Sequence, residues 1–287
     1  MADIALSVAT PVVTAMPGAH ARWEESGTID DIARIAVAAD RLGYCHLTCS
    51  EHIGVPAGEA NRRGARYWDP LATFGYLAAV TERIRFATNV LVLGYHHPLE
   101  IAKRYGTLDL ITGGRVILGV GVGTLKEEFD LLDAPFVDRG ERADDAMRAL
   151  RAGLSRSEPD YTGDHYSFGG FVIDPCAVQP VVPLWVGGRT LRSLRRAVAI
   201  GDGWCPFGIT PAQASAWLKT VDVPDDFAVV LGPERPFDPI GQPGATSEAL
   251  ADLARSGATI ASVRFVHHSL NHYLEQLEAM AVLFAAR

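Results

Sequence analysis

The sequence predicts an α/β fold, a (β/α)8 TIM barrel with an insertion after strand 4. Two observations carry that reading. Apolar strand-like runs alternate with helical patterns eight times, and eight is the number that closes a parallel sheet. The chain is 287 residues long, enough for one barrel of roughly 250 residues plus an addition. A doubly wound open sheet shares the alternation, but the count of eight favours closure.

DIALSVAT (3–10) reads as the first strand. IDDIARIAVAADRLG (29–43) is its helix, with Ile29, Ile32, Ile35, Ala36, Ala39 and Leu42 on one stripe. YCHLTCS (44–50) is the second strand. DPLATFGYLAAVT (69–81) follows as a helix, Asp69 at its N-cap and Pro70 in its first turn. IRFATNVLVL (84–93) and HPLEIAKRYGTLDLIT (97–112) form the third pair, and RVILGVG (115–121) the fourth strand. After an interruption come PLWVGG (183–188) with TLRSLRRAVAIG (190–201), then GWCPF (203–207) with TPAQASAWLKT (210–220). FAVVLG (227–232) with SEALADLARSG (247–257), and TIASVRFV (259–266) with LNHYLEQLEAMAVLFAA (270–286), complete the set. The chain is therefore expected to be a single domain over 1–287, with an insertion at approximately 125–182. That insertion holds a helix, DRGERADDAMRALRAG, and a hairpin-like segment, YTGDHYSFGGFVIDP. Placed after strand four, it lies on the face where barrels keep their active sites, a lid position.

Lys and Arg number 26 against 34 Asp and Glu, a net charge of −8, which argues against a nucleic-acid partner. No apolar run approaches the ~18 residues of a membrane span. Asp3 stands where a secretory signal carries basic residues, so a cytoplasmic protein is expected. Cys45, Cys49, Cys176 and Cys205 are scattered without a second pair at zinc spacing, so no metal is expected.

GRVILGVGVGTLKEEF carries Gly119, Gly121 and Gly123 at alternate positions. It is not a dinucleotide fingerprint, because the third glycine falls on Thr124 or Lys126 and three strands precede it. Alternating glycines at a strand's end mark a close approach of backbone or ligand, and the expectation is a slot for a broad, flat ligand. Gly187 and Gly188, followed by Arg189 and a helix, form an anion cradle. Arg192 adds charge there, and Arg195 and Arg196 read as a solvated face.

Four segments in one order, LGYCHLTCSEHIGVP (42–56), the block from Thr81 to Phe129, PLWVGG and GDGW, give the chain a family resemblance. It resembles the bacterial luciferase-like flavin monooxygenase superfamily, and more closely the branch that uses the deazaflavin coenzyme F420. The resemblance covers nearly the whole chain and implies the same barrel. It implies that His52 is a general acid/base beside Glu51, which stands where an Asp is usual. It implies that Asn89 and Val90 form a bulge behind the flavin, where the family often has a non-proline cis peptide. Gly121, Gly123 and Thr124 are implied to line the ring or ribityl chain, with Gly187, Gly188 and Arg189 at the phosphate. Some sugar-phosphate dehydrogenases of the branch keep a Glu at the Thr124 position, so that chemistry is not expected here. Trp68, Trp185, Trp204 and His96 are further candidates for shaping the pocket. The implied activity is hydride transfer between F420 and a small organic substrate. The alternatives are an FMN-dependent two-component monooxygenase of the same superfamily, and a non-catalytic flavin-binding barrel, against which His52 argues. The resemblance also implies a homodimer through the second and third helices, with Leu71, Phe74 and Leu77 on that face, a stripe that equally suits the core.

Overall fold

The computed structural model describes residues 4–286, so Asp3 of the predicted first strand lies outside the described residues. The barrel strands are β1 (Ala5–Val8), β2 (His46–Cys49), β3 (Arg85–Thr88), β4 (Leu91–Val92) and β5 (Val116–Gly121), followed after a small hairpin, β6 (Tyr161–Thr162) and β7 (Ser167–Phe168), by β8 (Leu184–Gly188), β9 (Gly203–Pro206), β10 (Ala228–Leu231) and β11 (Ile260–Val263). The barrel strands all pair in parallel, and β11 returns to β1 through Ala5↔Ile260 to Val8↔Val263, which closes the sheet. β3 and β4 are one barrel strand divided at the Asn89–Val90 peptide, which is cis. Below the break Phe86 aligns with Val116; above it Val92 aligns with Gly121. The closed barrel of eight parallel strands is thus the predicted one, with its third strand in two pieces.

The helices are α1 (Ile29–Arg41), α2 (Ala60–Arg63), α3 (Pro70–Ala78), α4 (Pro98–Thr112), α5 (Lys126–Leu131), α6 (Arg139–Gly153), α7 (Leu191–Ile200), α8 (Pro211–Leu218), α9 (Pro243–Arg255) and α10 (Leu270–Ala285). Local chemistry sets their starts: Thr28, Asp69, Thr190, Thr210 and Ser269 each accept a backbone N–H of the first turn. α6 packs between α4 and α7 and so fills the fourth place in the helix ring. What 125–182 adds to the barrel is therefore α5 and the β6–β7 segment, while α6 belongs to the barrel itself.

Most of the core lies between the strands and the helix ring. Ala87, Ile117, Trp185, Cys205 and Val230 pack as a second cluster. Strand alternation turns them away from the helices and into the barrel, as odd-register neighbours of the outward Phe86, Leu118 and Trp204. His46 lies edge-on to Trp185 with ring centroids 5.1 Å apart, and burial, aided by the Arg85 cation, holds its pKa down to about 3. Phe74 and Leu77 are fully buried within the chain, and Leu71 packs against the same core. The expected dimer stripe is therefore interior, because α3 turns it toward the sheet. Trp204 is likewise core, its Nε1–H donating to Ser193 Oγ at 3.2 Å.

Buried carboxylates tie the connections down. Asp40 accepts the backbone N–H groups of Glu82, Arg83 and Ile84. Asp109, fully buried, accepts from Val116, Val178 and Gln179 backbone and from the Gln179 side chain. Asp145 accepts from His165 and Tyr166 backbone and from the Tyr161 hydroxyl, which pins the hairpin to α6.

Candidate active site

The C-terminal ends of β2, β4, β5 and β8 bring most of the predicted site residues to one end of the barrel. His52 lies three residues beyond β2 and is half-buried. Its Nδ1 is 2.7 Å from Glu128 Oε2 on α5. The same oxygen accepts the Tyr95 hydroxyl at 2.7 Å, and Oε1 accepts the backbone N–H groups of Ile53 (2.8 Å) and Gly54 (3.2 Å). Glu128 is thus a buried carboxylate with four donors. Burial pushes its pKa up, but the bonds from His52, Tyr95 and Gly54 outweigh that and hold it below the ordinary range. An ionised carboxylate only accepts, so Nδ1 of His52 carries the proton. Nε2 has no hydrogen-bond partner among the described residues, and the ring is tilted against Tyr67 at 4.3 Å.

Glu51 does different work from its neighbour. Its Oε2 accepts the Val92 N–H at 2.7 Å and its Oε1 meets His96 Nε2 at 2.7 Å, both in a buried setting. Both oxygens thus hold the exit of the third barrel strand. His96, predicted as pocket lining, is the other half of that clamp. Burial lowers its pKa, but the Glu51 carboxylate raises it further, with a net upward shift.

The cis Asn89–Val90 bulge is braced by Ser50 Oγ, which donates to the Asn89 carbonyl at 2.6 Å, and by Asn89 N–H to the Cys49 carbonyl. This bulge accounts for the glycines. A Cβ on Gly119 would lie 1.9 Å from the Thr88 carbonyl oxygen; one on Gly121 would lie 2.6 Å from Val90 Cγ2, and one on Gly187 2.5 Å from Val90 Cγ1. A Cβ on Gly123 would meet the Phe129 ring at 2.6 Å. The expected empty slot is corrected: protein atoms fill it, with the Val90 side chain seated between β5 and β8. What faces the open end beside the glycines is half-buried Val90 and Asn89, with Thr124 exposed on the loop after β5.

At β8, Gly188 has φ +132°, where Cβ-bearing residues are strained, and the exposed Arg189 follows. Thr190 then caps α7 by accepting the Ser193 N–H, so the cradle lies at a helix N-terminus already capped in part.

Sequence reasoning missed Glu128, Tyr95 and Tyr67. A signal for Glu128 was present: in LKEEF it shares the face of Leu125 and Phe129 rather than the charged face of α5. Among the described residues no group of three or more His, Cys, Asp or Glu is arranged to hold a metal ion, and no helix is long and apolar enough to cross a membrane.

The family model for luciferase-like monooxygenases matches residues 7–232. An uncharacterized protein of Mycobacterium tuberculosis is 32% identical over 252 residues, 80% of this chain and 83% of its own. Among solved structures, an F420-dependent secondary alcohol dehydrogenase in complex with an F420–acetone adduct matches with a TM-score of 0.74 and 13% identity, over 96% of this chain and 99% of its own. The oxygenating constituent of 3,6-diketocamphane monooxygenase from Pseudomonas putida, in complex with FMN, matches with a TM-score of 0.73 and 16% identity, over 100% and 99%. At these identities the two structures share the fold.

Proposed function

The chain belongs to the luciferase-like monooxygenase family, a superfamily of oxidoreductases, and on that premise we propose that it transfers a hydride between coenzyme F420 and a small organic substrate. The observation that carries the chemistry is the Glu128–His52 pair. Glu128 stays ionised and fixes the imidazole through Nδ1, while Nε2 is left to give a proton to, or take one from, a heteroatom of the substrate. The residues present fit a deazaflavin. Val90 would offer an apolar backing at the C-terminal end of the barrel, Thr124 a hydroxyl, and Gly188 with Arg189 a basic helix start for a phosphate. When bound, that group supplies the carbon that donates or accepts hydride; the chain supplies orientation and the proton. Tyr67 and Tyr95 flank the His52–Glu128 pair, and the buried carboxylate keeps bulk water from competing for Nδ1.

FMN at the same end of the barrel is the second reading, supported by the likeness to an FMN-bound monooxygenase. Anaerobic titration with reduced F420 and with reduced FMN, followed by admission of oxygen, separates them. Tight F420 binding with no oxygen uptake is expected. Tight FMN binding with rapid oxygen uptake and no F420 affinity overturns the cofactor assignment.

A further inference from the structure

A cleft of about 630 Å³ lies between α6 and α7, outside the His52 site. Five arginines line it, Arg139, Arg148, Arg192, Arg195 and Arg196, against the carboxylates of Asp138, Glu141 and Asp144. Arg196 is paired with Asp144 and donates to the Gly140 carbonyl. Arg139 donates to the carbonyls of Gly123 and Phe136. Arg148, Arg192 and Arg195 make no ion pair and no hydrogen bond among the described residues, and all three are exposed. In a chain of net charge −8, this concentration of guanidinium groups on one cleft runs against the overall balance. Like charges held side by side repel unless an anion intervenes.

A second feature of the same cleft has the same sign. α6 is 15 residues long and its N-cap position is Asp138, which sits at φ 61° and gives no side-chain cap. Its first-turn N–H groups and the positive end of its dipole therefore lack the acceptor that Thr190 provides on α7. Arg139 and Gly140 of that turn line the cleft.

We propose that the cleft binds a small molecule carrying two or more phosphate or carboxylate groups, one at the start of α6 and the others between Arg148, Arg192 and Arg195. Planar guanidinium forks suit such oxygens. The volume suits a small ligand, and the acidic remainder of the surface disfavours a nucleic acid. The site stands independently of the F420 assignment. Two sources share this chemistry: a free metabolite, and the charged tail of a cofactor whose ring lies at the barrel mouth, to which Arg139 is linked through Gly123.

The test is calorimetric titration of the whole protein with sodium tripolyphosphate and with a tri-glutamate peptide. Saturable binding of one anion per chain is expected, weakened about tenfold or more in R192A/R195A and in R148A. The control R156A/K219A removes two charges elsewhere and is expected to stay within about twofold. Thermal melts accompany each variant, and R148A alone decides if the double variant fails to fold. Absence of saturable binding, or equal weakening in the control, overturns the proposal. Repeating the titration with cofactor bound assigns the source: competition marks a tail, simultaneous binding a free metabolite.

Discussion

At the scale of single residues, the acidic excess of this chain is partly structural. Glu51 collects one backbone N–H and a histidine, and Glu128 two backbone N–H groups and a histidine, yet only the second histidine has a ring nitrogen without a partner among the described residues. That difference separates a clamp from the pair proposed to move a proton. Glu128→Gln keeps the shape but removes the ionised acceptor that fixes the His52 ring through Nδ1. Turnover is expected to fall about 10- to 100-fold with cofactor affinity retained. His52→Ala is expected to lose about 10²- to 10⁴-fold; steady-state kinetics across pH with parallel binding titrations check both. If E128Q leaves turnover unchanged, the carboxylate does not act through His52. The sequence placed His52 correctly at the end of the second strand. That Glu51 turns to Val92 and His96 was not legible, because adjacency in sequence says nothing about which way two successive side chains leave a loop.

At the scale of elements, the divided third strand organises the mouth. Val90 projects between β5 and β8, and Gly121 and Gly187 leave room for it. Gly121→Ala places a methyl against Val90 Cγ2 and is expected to destabilise by about 1–3 kcal/mol; adding Val90→Ala is expected to recover most of that loss in urea melts. A G121A protein as stable as the parent would show that the valine is not what the glycine accommodates. The Glu51–His96 clamp on β4 adds a pH signature. The folded-state pKa of His96 is raised, so its contribution is complete below about 6.5 and is lost as pH rises through the folded value. The stability advantage of the parent over His96→Phe is therefore expected to shrink between about pH 6 and pH 9, whereas a depressed histidine pKa would make it grow. The glycine spacing was legible in the sequence as close approach. That the approaching group is Val90 was not, because a cis bulge depends on contacts from β2, β5 and β8 that have no local sequence signal.

For the molecule as a whole, the barrel has one closed and one open end. Arg85 bonded to Gln179, and neutral His46 packed on Trp185, fill the N-terminal end; His52, Val90, Thr124 and Gly188 gather at the other. Eight strand–helix units were readable because each apolar run and capped helix is a local pattern, and closure follows from their number. The helix α6 was assigned to the insertion since its neighbours α4 and α7 are distant in sequence, and ring position is a tertiary property. A ligand that binds the open end only in the folded barrel stabilises the whole fold by mass action. At a hundredfold excess over Kd that gain is about 2.7 kcal/mol, which for a domain of this size raises Tm by roughly 5 °C or somewhat more. Reduced F420 is expected to produce that rise, with reduced FMN giving little at equal concentration. The rise is also expected to survive in His52→Ala, whose imidazole contributes to turnover rather than to holding the ring, and to diminish when Arg189 is changed to Ala. An unchanged Tm with F420 in the parent protein would remove the cofactor from the proposed reaction while leaving the family assignment, which rests on residues 7–232, in place.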